Sequence, residues 1–313
     1  MSNASRSLTV VRKKRTFARI KKNADLYILF ALPLIFVFIF RYVPMYGVII
    51  AFKDFNPIQG ILGSPWVGLK HFRNFISAYE FQRVLVNTVT LSLGQLFFGF
   101  PVPIFLALVV NELRSKSYKK LVQTVTYAPH FISTVVLAGM LVMFLSPSTG
   151  IINKLMNVFG LESISFLAKS QWFKPVYIIS EIWQQAGWSS IIYIATLTGV
   201  DTQLYDAAYV DGCTRIKMIR YIDLPFLMPT VIILLILRCG QIMNIGFEKV
   251  LLLQNNLNMS SSDIIQTYVY RKGLVNSQFS FSTAVGLFNN IINMLLLIGV
   301  NKLSGAVSET SLW

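Results

Sequence analysis

Apolar residues along this chain gather into long runs parted by short basic or turn-forming segments. Six runs can be marked, at 26–52, 85–110, 121–145, 175–200, 230–253 and 281–300. Each is close to the roughly 20 mostly apolar residues that a helix needs to cross a bilayer. The pattern therefore predicts an all-α polytopic membrane protein with six transmembrane helices. Composition agrees: 54% of residues are hydrophobic, 13% are charged and the mean hydropathy is +0.60, against roughly a quarter charged in an ordinary soluble domain.

A net charge of +15 would suit nucleic acid, but the placement of the charges argues for a membrane and against a nucleic-acid partner. Arg6, Arg12, Lys13, Lys14, Arg15, Arg19, Lys21 and Lys22 all precede the first apolar run, the positive-inside signature of a cytoplasmic N-terminus that meets anionic lipid headgroups. Counting spans from there puts the loop with Arg114, Lys116, Lys119 and Lys120 in the cytoplasm, with the loop of Arg215, Lys217 and Arg220 and both termini. Residues 1–24 thus read as a basic cytoplasmic segment and 25–313 as the transmembrane domain. The first run is too long for a cleavable signal peptide and has no small-residue cleavage site after it, so it is expected to remain as a helix. Cys213 in a cytoplasmic loop and Cys239 in a membrane run offer no disulfide framework.

Polar side chains inside the runs mark a wet interior, because burying them in hydrocarbon is costly and they turn toward the bundle centre or a cavity. Glu181, Gln184, Gln185 and Trp188 recur at helical spacing in the fourth run. Arg238, Gln241, Asn244 and Glu248 share about a 120° arc of the fifth, and Asn290 and Asn293 share a face of the sixth. Amides hydrogen-bond sugar hydroxyls, and aromatic rings stack on the apolar face of a pyranose. Gln184, Trp188, Tyr193, Gln241, Asn244, Asn290 and Asn293 are therefore the candidate substrate pathway. The same residue types also hold membrane helices together and decorate interfaces, which is the competing structural reading. Glu181, Arg238 and Glu248 read as structural intramembrane charges, with Arg238 expected to pair with Glu181 or Glu248 rather than touch a neutral sugar.

Enzyme chemistry finds little support. His71 and His130 are the only histidines, and no metal-ligand cluster or Gly-rich phosphate loop occurs. Single glutamates such as Glu181 and Glu248 lack a paired carboxylate or base for general acid–base work. The chain is expected not to be an enzyme, to hold no metal or cofactor, and to leave nucleotide chemistry to another chain.

Between the fourth and fifth runs lies YDAAYVDGCTRIKMIRYIDLPFLMP at 205–229, a basic segment rich in small residues. If it is helical, Leu204, Ala208 and Gly212 recur at a spacing of four and form a stripe on which another protein's backbone can pack. Pro225 and Pro229 suit re-entry into the next span. Ala207, Ala208, Asp211, Gly212, Ile222, Leu224 and Pro225 resemble in register the cytoplasmic coupling loop of bacterial ATP-driven importers, with Asp206 standing where that family has the longer Glu. The resemblance extends through WVGLKHFRNF at 66–75, Asn87-Thr88 and TYVYRKGL at 267–274. It is nearest the lipoprotein-type and polysaccharide–oligosaccharide branch of type I carbohydrate importer permeases.

That resemblance implies the type I importer permease fold, with a coupling loop at about 201–229. Asp206, Ala207, Ala208, Asp211, Gly212, Ile222, Leu224 and Pro225 would rest on an ATPase dimer that holds ATP and Mg2+. It also implies a second, related permease subunit, an extracytoplasmic binding protein delivering an oligosaccharide, and alternating access in the bacterial plasma membrane. An importer for amino acids or phosphate is the nearest alternative, and an autonomous ion-coupled carrier a more distant one. Pro101 and Pro103 interrupt the second run with no counterpart in an inverted half, which speaks against the carrier.

Overall fold

The computed structural model describes residues 22–308 and 311–312. Apart from Lys22, the basic N-terminal run lies outside the described residues. The chain divides into two compact units, Met1–Gly68 and Leu69–Trp313. In the first, α1 (Ala24–Phe52) is apolar around its whole circumference, and none of its residues from Ala24 to Val37 is buried. A helix of that kind finds its solvent in lipid. After it the chain folds back on itself: Lys53 bridges to Trp66, Phe52 stacks on the Trp66 ring at 5.8 Å, and Lys53 Nζ donates to the Ile61 carbonyl at 2.7 Å.

The second unit is built from α2 (Lys70–Ile76), α3 (Phe81–Asn111), α4 (Lys116–Phe131), α5 (Thr134–Phe144), α6 (Ile151–Val158) and α7 (Ser170–Leu197), followed by α8 (Thr202–Val210), α9 (Arg215–Cys239), α10 (Phe247–Leu253), α11 (Ile265–Tyr270) and α12 (Phe279–Ser308). α7 runs through the middle, packed against α3, α4 and α9. Large apolar side chains such as Phe97, Phe105, Ile179 and Leu295 lie on the outside, while Asn87, Thr88, Gln95, Gln184 and Ser190 are buried. Against lipid tails this arrangement is favourable, since the polar groups can be satisfied only by one another or by an enclosed aqueous space.

Four helices, α1, α3, α9 and α12, are long and apolar enough to cross a membrane, and α4 with α5 makes a fifth as a pair bent by 97°. α7 has 28 residues but is too rich in polar side chains to qualify by composition. Length and composition thus yield four or five spans where the sequence reading expects six.

Two apolar runs are not single helices. The third breaks at Ile132–Ser133, just after Pro129, and Gln184 Nε2 donates to the freed Ile132 carbonyl at 2.8 Å. The fifth leaves the helix after Cys239 and resumes only at Phe247, so the expected single arc of Arg238, Gln241, Asn244 and Glu248 does not form. Gly240 lies so near α12 that a Cβ would stand 2.7 Å from Leu297 Cδ1. The unwound backbone is met by side chains of three other helices. The Ser92 hydroxyl donates to the Ile242 carbonyl, the Gln266 amide donates to the Met243 carbonyl, and Asn293 Oδ1 accepts from the Met243 N–H at 2.9 Å. Irregular backbone at membrane depth persists only with such partners.

Candidate functional site

α3, α7 and α9 line a half-open cavity of 360 Å3. A smaller one of 80 Å3 adjoins it toward the unwound segment, and Gln95, Glu181 and Arg238 line both. Gln95 opens a π-helical turn of α3 at Gln95–Gly99, the kind of local widening that often re-aims a side chain at a functional site. Its Nε2 is buried and has no partner among the described residues.

The charges are arranged differently from the sequence expectation. Glu181 pairs with Lys249 at 3.0 Å, and Lys249 is almost wholly buried under the Tyr177 ring. Arg238 does not pair with Glu181, because Lys249 occupies that carboxylate, nor with Glu248. The helix break after Cys239 removes Glu248 from the face that Arg238 occupies. Among the described residues no carboxylate oxygen lies within 4.0 Å of the Arg238 guanidinium, which is exposed in the cavity wall.

Of the candidate pathway residues, Tyr193 lines the larger cavity, and Gln241 and Asn244 line the smaller. The Asn244 Oδ1 accepts from Asn289 Nδ2 at 2.8 Å. Gln184 and Asn293 are buried and engaged with backbone groups of the broken helices. Trp188 stacks on His130, 4.4 Å apart and 3° from parallel, and lines neither cavity; Asn290 is exposed on α12 and lines neither. The pathway assignment passes over Gln95, Ser189 and Lys249. Lys249 and Gln95 were readable by the rule applied to Arg238, being polar groups inside apolar runs. Ser189 carried no such signal.

The second candidate surface is α8 with its flanks. Asp201 caps its N-terminus, its carboxylate accepting from the Gln203 N–H at 3.0 Å. The C-terminus closes on a Schellman pair: the Cys213 N–H donates to the Ala208 carbonyl at 2.9 Å and the Gly212 N–H to the Tyr209 carbonyl at 3.1 Å, with Gly212 at φ 71°. Gly212 therefore lies beyond the helix and does not extend the stripe of Leu204 and Ala208. Its place demands the left-handed conformation, which glycine adopts without cost. Asp206, Ala207 and Asp211 are exposed and Ala208 half-buried, while Leu204, Tyr209, Val210 and Ile216 present apolar side chains to the outside.

α8 is anchored to the membrane helices from below. The Tyr205 hydroxyl donates to the Asp223 carboxylate, which is fully buried in α9. Tyr205, Ile219 and Ile222 pack on a core that includes Val110, Leu197 and Leu227. Leu224 and Pro225 follow directly in α9 on an exposed face. Arg215 lies 4.0 Å from Glu112. Burial, and after it the Asp223 charge, hold the Glu112 carboxyl above its ordinary range, while Arg215 pulls it down. Burial and the Asp223 carboxylate push the Tyr205 phenol further above its ordinary range.

Residues 83–306 match the model of a family described as binding-protein-dependent transport system inner membrane component. The chain is 43% identical over 302 residues to the polygalacturonan/rhamnogalacturonan transport system permease protein YteP of Bacillus subtilis (strain 168), covering 96% of this chain and 94% of that protein. It is 41% identical over 296 residues to protein LplB of the same organism, covering 95% and 93%. A chain in the crystal structure of a bacterial ABC transporter involved in import of the acidic polysaccharide alginate superimposes with a TM-score of 0.87 at 41% identity, over 94% of this chain and 99% of that one. A second structure of the alginate transporter, in complex with its alginate pentasaccharide-bound periplasmic protein, matches with the same TM-score and identity over 95% and 100%.

Proposed function

We propose that this chain, which belongs to the family of binding-protein-dependent transport system inner membrane components, passes oligosaccharides through the cavity between α3, α7 and α9 and is driven through α8. It is the permease of an ATP-driven sugar importer, a multi-pass protein of the bacterial plasma membrane. Its cavity lining carries the cargo assignment: Gln95, Gln185, Ser189, Gln241 and Asn244 offer amides and hydroxyls that exchange water for sugar hydroxyls without leaving polar groups unpaired. One relative is named for polygalacturonan and rhamnogalacturonan and the solved importer for alginate, which supports an oligosaccharide here too. A periplasmic or cell-surface binding protein delivers it, as the alginate complex with its pentasaccharide-bound protein suggests by analogy.

A second permease subunit and an ATPase dimer holding ATP and Mg2+ complete the machine in this proposal. The exposed apolar face of α8 rests on the ATPase. Because Tyr205 ties α8 to Asp223 within α9, a push on α8 is passed to a helix that lines the cavity, as alternating access requires.

Gly212 tests the coupling role. Its absent Cβ would point into open space within this chain, so Gly212→Leu meets no clash there, strains only the cap of α8 at φ 71°, and should leave the membrane helices intact while abolishing binding-protein-stimulated ATP hydrolysis in the reconstituted complex. Gly212→Asn should retain more activity than Gly212→Ala, since Asn tolerates the left-handed conformation while Ala meets a penalty of about 1–2 kcal/mol. Normal stimulation in a well-assembled Gly212→Leu complex would remove α8 from the coupling path. Orientation is tested separately, by an impermeant maleimide. With both termini in the cytoplasm, Cys213 should react only from the cytoplasmic side and a cysteine at Ser148 only from outside; labelling of Ser148→Cys from the cytosol alone would overturn this topology.

A further inference from the structure

Arg238 combines three properties that do not occur together elsewhere among the described residues. It lies in the last turn of a helix otherwise apolar from Val231 to Leu237. It faces both cavities, and no carboxylate of this chain is within 4.0 Å of it. A charge at such depth is costly unless a partner offsets the cost. The one carboxylate in the lining, Glu181, is already neutralised by Lys249, so Arg238 leaves the cavity with an uncompensated positive charge. The surrounding lining is neutral: Gln95, Gln185, Gln241 and Asn244 supply amides, and the Gln95 Nε2 is still without an acceptor. A guanidinium matches a carboxylate in a planar, two-pronged fashion, and low-dielectric walls strengthen that attraction.

Resting on the oligosaccharide reading above, we propose that Arg238 selects cargo by its carboxylates, so that this cavity takes acidic, uronate-type oligosaccharides in preference to neutral ones. The amides engage hydroxyls of the sugar, and Arg238 supplies the discrimination by charge.

The test compares two probes of the same backbone, trigalacturonate and its fully methyl-esterified form, in proteoliposomes that hold the complete importer. Uptake of each is measured for the native complex, for Arg238→Gln and for Arg238→Lys, each variant expressed relative to the native rate for the same probe so that preferences of the binding protein cancel. Arg238→Gln should lower trigalacturonate uptake about tenfold or more, the scale of one lost charge-assisted contact, and leave uptake of the ester nearly unchanged. Arg238→Lys should fall between, since the charge stays and the fork is lost. Melting temperatures of both variants should match the native complex.

Equal losses on the two probes, or no loss on either, would overturn the inference. So would a lowered melting temperature or failed assembly in both variants, which would make the guanidinium a structural partner for a carboxylate on another subunit. A native complex that carries the ester and not the acid would refute the role of Arg238 and leave the oligosaccharide reading standing. A native complex that carries neither probe would remove that reading and this inference with it.

Discussion

Asp263→Ala is expected to lower the melting temperature of the purified permease sharply and to cut the amount that accumulates in the membrane, at a cost of about 3 kcal/mol. The carboxylate is fully buried and receives Arg271 at 2.8 Å and Arg83 at 3.0 Å on one oxygen and the Thr267 hydroxyl at 3.1 Å on the other. The backbone around it is held as firmly. Asn87 Nδ2 donates to the Ser260 and Asp263 carbonyls at 2.9 and 3.1 Å, and Thr88 Oγ1 accepts from the Ile265 N–H at 2.9 Å. Asn87 and Thr88 thereby pin α3 to the segment that leads into α11. Without the carboxylate, two guanidinium groups face each other across a void. Each arginine side chain is about a third exposed and can rehydrate in part, which places the cost at the low end of the range for broken buried pairs. Asp263→Asn, which keeps the shape and loses the charge, should fall between. An unchanged melting temperature for Asp263→Ala would show that the knot contributes nothing net.

Gly187→Ala should also destabilise, by about 1–3 kcal/mol, and Gly187→Leu should prevent assembly. α7 and α4 approach so closely here that a Cβ on residue 187 would sit 2.0 Å from the Thr126 carbonyl oxygen and 2.4 Å from its carbon. Those are backbone atoms, so relief requires moving a helix. Small residues permit such contact between membrane helices, where packing replaces the hydrophobic drive available in water. The sign is diagnostic, because in a helix with free space Gly→Ala is favourable by up to about 1 kcal/mol. Gly139 in α5 has no atom within 4 Å of its would-be Cβ, so Gly139→Ala should leave the melting temperature unchanged or raise it. Equal effects at the two positions would contradict the close approach.

Much of the architecture was legible because it depends on local properties. Apolar run length answers to bilayer thickness, and each of the six runs is built into helices. The coupling-loop pattern spans a few turns of chain, so its resemblance to importer permeases could be read without any long-range pairing, and the family match bears it out. Gly212 was legible as one of the small residues of that loop but not as the Schellman cap of α8, since the cap depends on where α8 ends.

The roles of individual polar residues were not legible, and Gln184 and Gln185 show why. They are adjacent in sequence and identical in chemistry, yet one step of about 100° on a helix sends Gln184 to the Ile132 carbonyl and Gln185 to the cavity wall and His130, 2.9 Å away. Similarly, Arg238 and Glu248 are spaced as if they shared a face, but Gly240 brings the chain against α12 and the helix stops between them.

By itself, then, the amino-acid sequence determined that this is a helical membrane permease with a basic, small-residue segment between its fourth and fifth apolar runs, because hydropathy and short motifs act over a few turns of chain. Only the tertiary structure decided which polar groups are spent on broken helices and which remain free. Hydrogen-bond partners such as Asn293 and Met243, or Lys249 and Glu181, lie 50 and 68 residues apart, and in hydrocarbon it is those distant partners that determine whether a polar group is satisfied internally or left facing the cavity.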